Sequence, residues 1–235
     1  SIHGTLTANM SELIMLMLGA PFGLNESVSL PLSLSLNYSK GEYNGTLTLY
    51  LIEGLPVEFC NVDVNGNLSA VYLNGTLDVI YGYYPPPIDM NITREWLNST
   101  AEFIEANLNE TIFNATGGRM ECPYVNITVT DFGYGATVTF KAYIREVEEY
   151  KGFIIWMLID PIYRQLDLTD VQAVVLFNVL NETLHKIQNA SLLLTYTPSD
   201  TLVEFWLDGT VHLRDIIEQS LEPIEVPPEW RGPTL

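Results

Sequence analysis

An α+β fold dominated by antiparallel β-structure is predicted by three observations on the 235-residue chain. Apolar residues recur at every second position in five segments, the period of half-buried strands. Gly-containing turn signals separate several of those segments. Only two or three segments carry a helical period, so helices are the minority. The expected architecture is sandwich-like antiparallel sheets with two to three helices and an extended N-terminal strand.

The first strand is the N-terminal stretch SIHGTLTANMS. Ile2, Gly4, Leu6, Ala8 and Met10 are apolar or small, whereas His3, Thr5, Thr7 and Asn9 are polar. Residues 1–12 therefore read as a strand segment of their own, followed by one globular head over 13–235. The apolar run LIMLML (13–18) reads as a short buried helix or strand, far short of the ~20 residues that span a membrane. Val28, Leu30, Leu32, Leu34, Leu36 and Tyr38 alternate strictly, with Asn37 on the opposite face. A turn at Lys40-Gly41 leads into a partner strand with Leu47, Leu49 and Leu51. Asn65-Gly66 and Asn74-Gly75 are Asn-Gly pairs of the type I′ hairpin kind and predict two more turns.

YYPPPIDM places a possible subdomain break at 85–87. A helix follows over about 93–113, apolar at Leu97, Ala101, Ile104, Leu108 and Ile112. Asn98 and Asn109, three turns apart, share one flank of it. YVNITVTDF and ATVTFKAYIR read as a strand pair joined by a Gly-rich turn. FIIWMLI (153–159) reads as a strand buried on both faces. Thr169 with Gln172 forms a capping box that starts a second helix, expected to run to about residue 190. SLLLTYT and TLVEFWL read as another strand pair, 211–221 as a third helix, and the Pro-rich tail as extended chain.

Composition narrows the function. The charge balance is acidic, 29 Asp+Glu against 10 Lys+Arg for a net charge of −19, which opposes binding to nucleic acid and to anionic lipid. Charged residues are nevertheless only 17% of the chain, less than the usual quarter. The sequon N-x-[ST] occurs at Asn9, Asn25, Asn37, Asn44, Asn67, Asn74, Asn91, Asn98, Asn109, Asn114, Asn126, Asn181 and Asn189, 13 of 17 asparagines. About two are expected by chance, so these tripeptides read as N-glycosylation acceptors. The chain is expected to be exported and sugar-coated, its leader removed before Ser1, with no membrane span in the mature chain. No sequon falls in 127–180 or 192–235, which marks those stretches as core or as protein contact surface, the latter favoured for the Pro-rich tail. In an oxidising exterior the two cysteines, Cys60 and Cys122, are expected to pair. Closing a loop of about 60 residues stabilises by about 4 kcal/mol in the chain-entropy treatment.

Catalytic signatures are missing from the sequence: there is no G-x-S-x-G, H-E-x-x-H, P-loop or G-x-G-x-x-G. His3, His185 and His212 have no ligand spacing, and Asp131-Phe132-Gly133 reads as a turn. Asn61, Asp63, Asn65 and Asn67 with Gly66 echo a Ca²⁺ loop, but Tyr72 stands where a bidentate Glu is needed. A hairpin turn is the better reading, and neither a cofactor nor a metal is expected.

An alternating strand at a chain end can complete a neighbour's sheet, as in donor-strand complementation. Ile2, Leu6 and Met10 would fill the pockets, with Gly4 and Ala8 between them, contributing about 5–8 kcal/mol if fully buried. With its terminal strand, β-rich head and dense sequons, the chain resembles the donor-strand-linked, glycosylated surface filaments of archaea, the threads and related pili. It departs from archaeal type IV pilins, which start with a long apolar helix. The resemblance implies a self-polymerising extracellular subunit acting in adhesion, biofilm or cell contact. An S-layer or other cell-surface glycoprotein would share the glycans but pair its first strand within its own sheet. A secreted glycan-binding protein or hydrolase would need convergent carboxylates and aromatics.

Overall fold

A computed structural model describes residues 2–6, 32–50, 56–85, 89–197 and 200–209. The elements in order are β1 (Ile2–Leu6), β2 (Leu32–Ser39), β3 (Glu42–Tyr50), β4 (Val57–Asn67), β5 (Ala70–Ile80), β6 (Gly82–Tyr84), β7 (Met90–Ile92) and α1 (Arg94–Ala115). There follow β8 (Met120–Asp131), β9 (Gly135–Glu146), a 3₁₀ turn (Glu148–Tyr150), α2 (Phe153–Gln165), α3 (Asp170–Lys186), β10 (Ile187–Thr197) and β11 (Asp200–Gly209). The fold is α+β and β-dominated. Nine strands form one antiparallel sheet in the order β1-β11-β10-β2-β3-β4-β5-β9-β8, and β6 and β7 form a small second one. The stretches 7–31, 51–55, 86–88 and 210–235 lie outside the described residues. They hold Ala8, Asn9, Met10 and Asn25, the 13–18 run, His212, the expected third helix and the Pro-rich tail.

Period-two patterning explains the large sheet directly, because alternate residues of each strand line up in rows across it. One row runs Leu194–Leu34–Leu47–Val62–Gly75–Phe140–Ile127, from β10 to β8. The next runs Leu192–Leu36–Gly45–Val64–Leu73–Ala142–Val125. This is the apolar face. The turn at Lys40-Gly41 forms as expected, both residues having positive φ (50° and 90°). On either side of the Pro-rich 85–87, β5 and β9 pair continuously from Ala70↔Arg145 to Ile80↔Gly135.

Two clusters anchor the helices. Val79, Ile92, Leu97 and Ala136 are buried together where α1 and the β6–β7 pair meet one end of the apolar face. Ile155, Trp156, Ile159, Ala173 and Phe177 form the second, between α2 and α3, with Leu68 of the β4–β5 turn against it. Helix α1 also runs along β8, the last strand of the sheet. Its Glu105 carboxylate accepts the Ile127 N–H, and its Asn109 Oδ1 accepts the Cys122 N–H at 2.7 Å. Unpaired strand edges invite further pairing; here helical side chains cover the β8 edge.

Four expectations need correction. The FIIWMLI stretch is the first part of helix α2, with Phe153, Ile155, Trp156 and Ile159 buried. A short apolar run fits a buried helix as well as a buried strand, and Pro161 in its interior disguised the helix. The helix starts after Gly152, at φ 91°, where no side chain of its own caps it. The Glu146 carboxylate does so instead, accepting the N–H groups of Gly152 and Ile154, both at 2.8 Å. Second, Asn65-Gly66 and Asn74-Gly75 lie inside β4 and β5, whose turn falls at Leu68-Ser69. At Gly75 the Phe140 ring occupies the place of a Cβ, so the glycine serves cross-strand packing there and not a turn. Third, helix α3 keeps its capping box at Thr169/Gln172 but ends at Lys186. The β-branched Ile187 passes straight into β10.

The fourth concerns the cysteines. Cys60 lies on β4 and Cys122 on β8, with β5 and β9 between them. Three strand spacings of about 4.8 Å far exceed the Cα separation a disulfide spans. Both are free thiols; Cys60 is half-buried and Cys122 buried. Burial pushes both thiols above their ordinary pKa, and Cys122 Sγ donates to the Tyr124 carbonyl at 3.3 Å.

Candidate functional site

The second face of the large sheet is polar almost throughout. Thr46 donates to Asp63 at 2.8 Å, Thr48 to Asn61 at 2.9 Å and Thr137 to Asp78 at 2.7 Å, each across a strand boundary. The Asn61/Asp63/Asn65/Asn67 series is thus one face of β4, tied to β3. Among the described residues no group of three or more His, Cys, Asp or Glu could hold a metal ion. His185 is exposed on α3, with Nδ1 2.7 Å from the Asn181 carbonyl oxygen.

The same face gathers sequons. Asn37 (β2), Asn44 (β3), Asn67 (β4), Asn74 (β5), Asn126 (β8) and Asn189 (β10) all project from it, and all are exposed. Asn37 and Asn44 are direct cross-strand partners, Asn37 Nδ2 donating to Asn44 Oδ1 at 3.4 Å. This concentration follows from pattern alone: in a strand with alternate apolar residues, Asn and the Ser or Thr two positions on share the wet face. Asn91 on β7 and Asn98, Asn109 and Asn114 on α1 are exposed as well. Asn109 is compatible with two roles, since a sugar would occupy Nδ2 and leave Oδ1 on the β8 backbone. Asn181 differs. It is half-buried and lines a cavity of about 280 Å³ with Leu68, Gly152, Phe177 and His185.

If the chain is glycosylated as the sequence leads one to expect, mass-spectrometric site mapping of native material should find the ten exposed acceptors occupied and Asn181 the least occupied of the eleven. Equal occupancy at Asn181 would show that the α2–α3 cleft opens before folding is complete.

A row of three tyrosines escaped the sequence reading, which weighed Tyr72 only as a poor Ca²⁺-loop residue. Tyr72, Tyr143 and Tyr124 are register partners on β5, β9 and β8 and line an open cavity of about 490 Å³ with Asn74 and Lys141. The sequence signal was the repeated Tyr-x-Asn-x-Thr at 72–76 and 124–128, which puts ring, acceptor and hydroxyl on one face.

Of the expected interface strand, residues 2–6 pair antiparallel with β11 of the same chain, Ile2↔Leu207, Gly4↔Phe205 and Leu6↔Val203. His3 lies opposite Trp206 in this register. Helix α1 covers β8, so β1 is the other edge of the sheet among the described residues. No described helix is long and apolar enough to cross a membrane. No protein-family model matches the chain, and a search of curated proteins returns no match.

Proposed function

We propose that the chain is a non-catalytic structural glycoprotein of an extracellular surface, a subunit of a glycosylated assembly. The observation that carries this reading is the placement of six sequons on one sheet face. A face so furnished would present a sugar layer outward, while the apolar face and the β1 edge remain for packing. In the filament form of the proposal, β1 leaves its own β11 and enters the same register on a neighbour's. Exchange of an identical element is a low-cost route to assembly, and a head-to-tail exchange that does not close makes a fibre. The self-pairing of β1 favours a second reading, a surface glycoprotein whose sheet is complete within one chain.

A reversible staple separates the two. Thr5 and Glu204 are Cα partners, so a Thr5→Cys/Glu204→Cys double variant, oxidised as dilute monomer before assembly and checked for an intrachain bond, would lock β1 onto its own β11. The filament form expects fibres by electron microscopy only after reduction. Fibres or lattices in the oxidised state would rule out strand exchange and leave the self-contained form.

A further inference from the structure

The three central rows of the polar face on β5, β9 and β8 are ordered by chemistry. They read Tyr72–Tyr143–Tyr124, then Asn74–Lys141–Asn126, then Thr76–Thr139–Thr128. Two complete sequons thus flank one strand, each with a tyrosine two residues before its acceptor. The other four sequons on this face have Ser35, Glu42, Asn65 or Ile187 in that position.

The rings are held ready. Tyr72 and Tyr143 stack at 4.3 Å between centroids, 17° from parallel, and a hydrogen bond between their side chains helps raise the Tyr72 pKa. Two residues beyond Tyr143 on β9, Arg145 donates its Nε hydrogen to Glu121 at 2.6 Å. Tyr72 and Tyr124 nonetheless keep 54% and 52% of their surface in solvent, more than a packing role on a sheet requires. Residues two apart on a strand stand about 7 Å from one another, within reach of an aromatic side chain and of the first sugar on an asparagine. The face of a pyranose that carries axial C–H groups is apolar and polarised, and suits the electron-rich face of a tyrosine ring.

We propose that the sugar chains on Asn74 and Asn126 fold back onto Tyr72 and Tyr124, so that the first pyranose of each stacks on a ring and the pair fills the cavity around Tyr143. The partner class is a pyranose tethered to this same chain. The inference rests on the glycoprotein reading above. The Tyr72 ring, already held by stacking on Tyr143, loses little freedom when a sugar docks, so that contact orders the glycan at small entropic cost.

The test begins with site mapping of protein made in a host that glycosylates the chain. If Asn74 and Asn126 carry no sugar, the glycoprotein reading fails at these sites and the inference with it. If they are occupied, thermal unfolding of the wild type, Tyr72→Ala, Asn74→Gln and the double variant forms a cycle. Tyr72→Ala is expected to lower Tm by about 2–4 °C more when the Asn74 glycan is present than when it is absent. The sugar C–H proton resonances at Asn74 should also lose an upfield ring-current shift in Tyr72→Ala. The same cycle with Asn37→Gln, which has no preceding ring, should show no coupling. Occupied sites with no coupling and no ring-current shift overturn the proposal. So does a result in which glycan released from the native protein binds the Asn74→Gln/Asn126→Gln variant while the tethered chains show no coupling, since the platform would then serve a foreign sugar.

Discussion

Glu146→Ala should lower the unfolding free energy by about 3 kcal/mol, because it strands two half-buried N–H groups at the start of a helix. Those groups, on Gly152 and Ile154, have the Glu146 carboxylate as their acceptor. The helix they open carries no side-chain cap of its own, and the negative charge also complements its dipole. Glu146→Gln retains one acceptor and should lose less. The pH dependence has a definite sign. Burial, the largest influence, lifts the Glu146 carboxyl above its ordinary value against the opposing pull of its backbone and Ser69 hydrogen bonds. The folded chain therefore holds this proton more tightly than the unfolded chain. Its contribution to stability is greatest below the ordinary carboxylate pKa and declines as pH rises through the elevated folded value. Urea titrations across that range, wild type against Glu146→Gln, should show the decline in the wild type and not in the variant. A wild-type stability that rises with pH relative to Glu146→Gln would refute the assignment.

The second large effect is Trp156→Ala, expected to cost about 3–5 kcal/mol. Trp156 is 4% exposed and stacks on Phe177 at 4.7 Å, which joins α2 to α3. Removing the ring opens a void between Ile155, Ile159 and Ala173 that rigid helices cannot fill. Denaturant unfolding measures the loss, and near-UV circular dichroism should lose the contribution of this one of the four tryptophans while the sheet persists. Trp156→Phe should recover more than half of the stability. A cost below 1 kcal/mol for the alanine variant would mean that the α2–α3 pair is not part of the cooperative core.

Much of the large sheet was legible because its strands are wet on one side and dry on the other. Leu32 to Leu36, Leu47 to Leu49 and Val138 to Phe140 announce a period of two, and Thr93 and Thr169 announce helix starts. What failed had physical reasons. FIIWMLI is apolar on every side, so it carries no phase, and its helix is capped by Glu146, a residue outside the segment. Asn-Gly is a turn signal when its glycine needs a positive φ. In β4 and β5 the glycines instead make room, Gly75 under Phe140. The Cys60–Cys122 pairing rested on compartment and even number, neither of which knows that two strands intervene. The sequons were legible one by one, and alternation put each strand's acceptor on its wet face, but which acceptors become neighbours needed the register. The tyrosine row needed it too, since Tyr143 belongs to no sequon and joins Tyr72 and Tyr124 only across strands.

The α1 cover on β8 sets the number of ways the sheet can grow. With Glu105 and Asn109 occupying β8 backbone donors, the edge left for strand addition among the described residues is β1, or β11 once β1 has left it. On the filament reading proposed above, such a subunit would offer one acceptor edge and one exchangeable donor strand, so strand exchange would extend the assembly along a line. A sugar on Asn109 would reinforce the limit, because its bulk would stand guard on the closed flank while the asparagine's own oxygen holds the bolt.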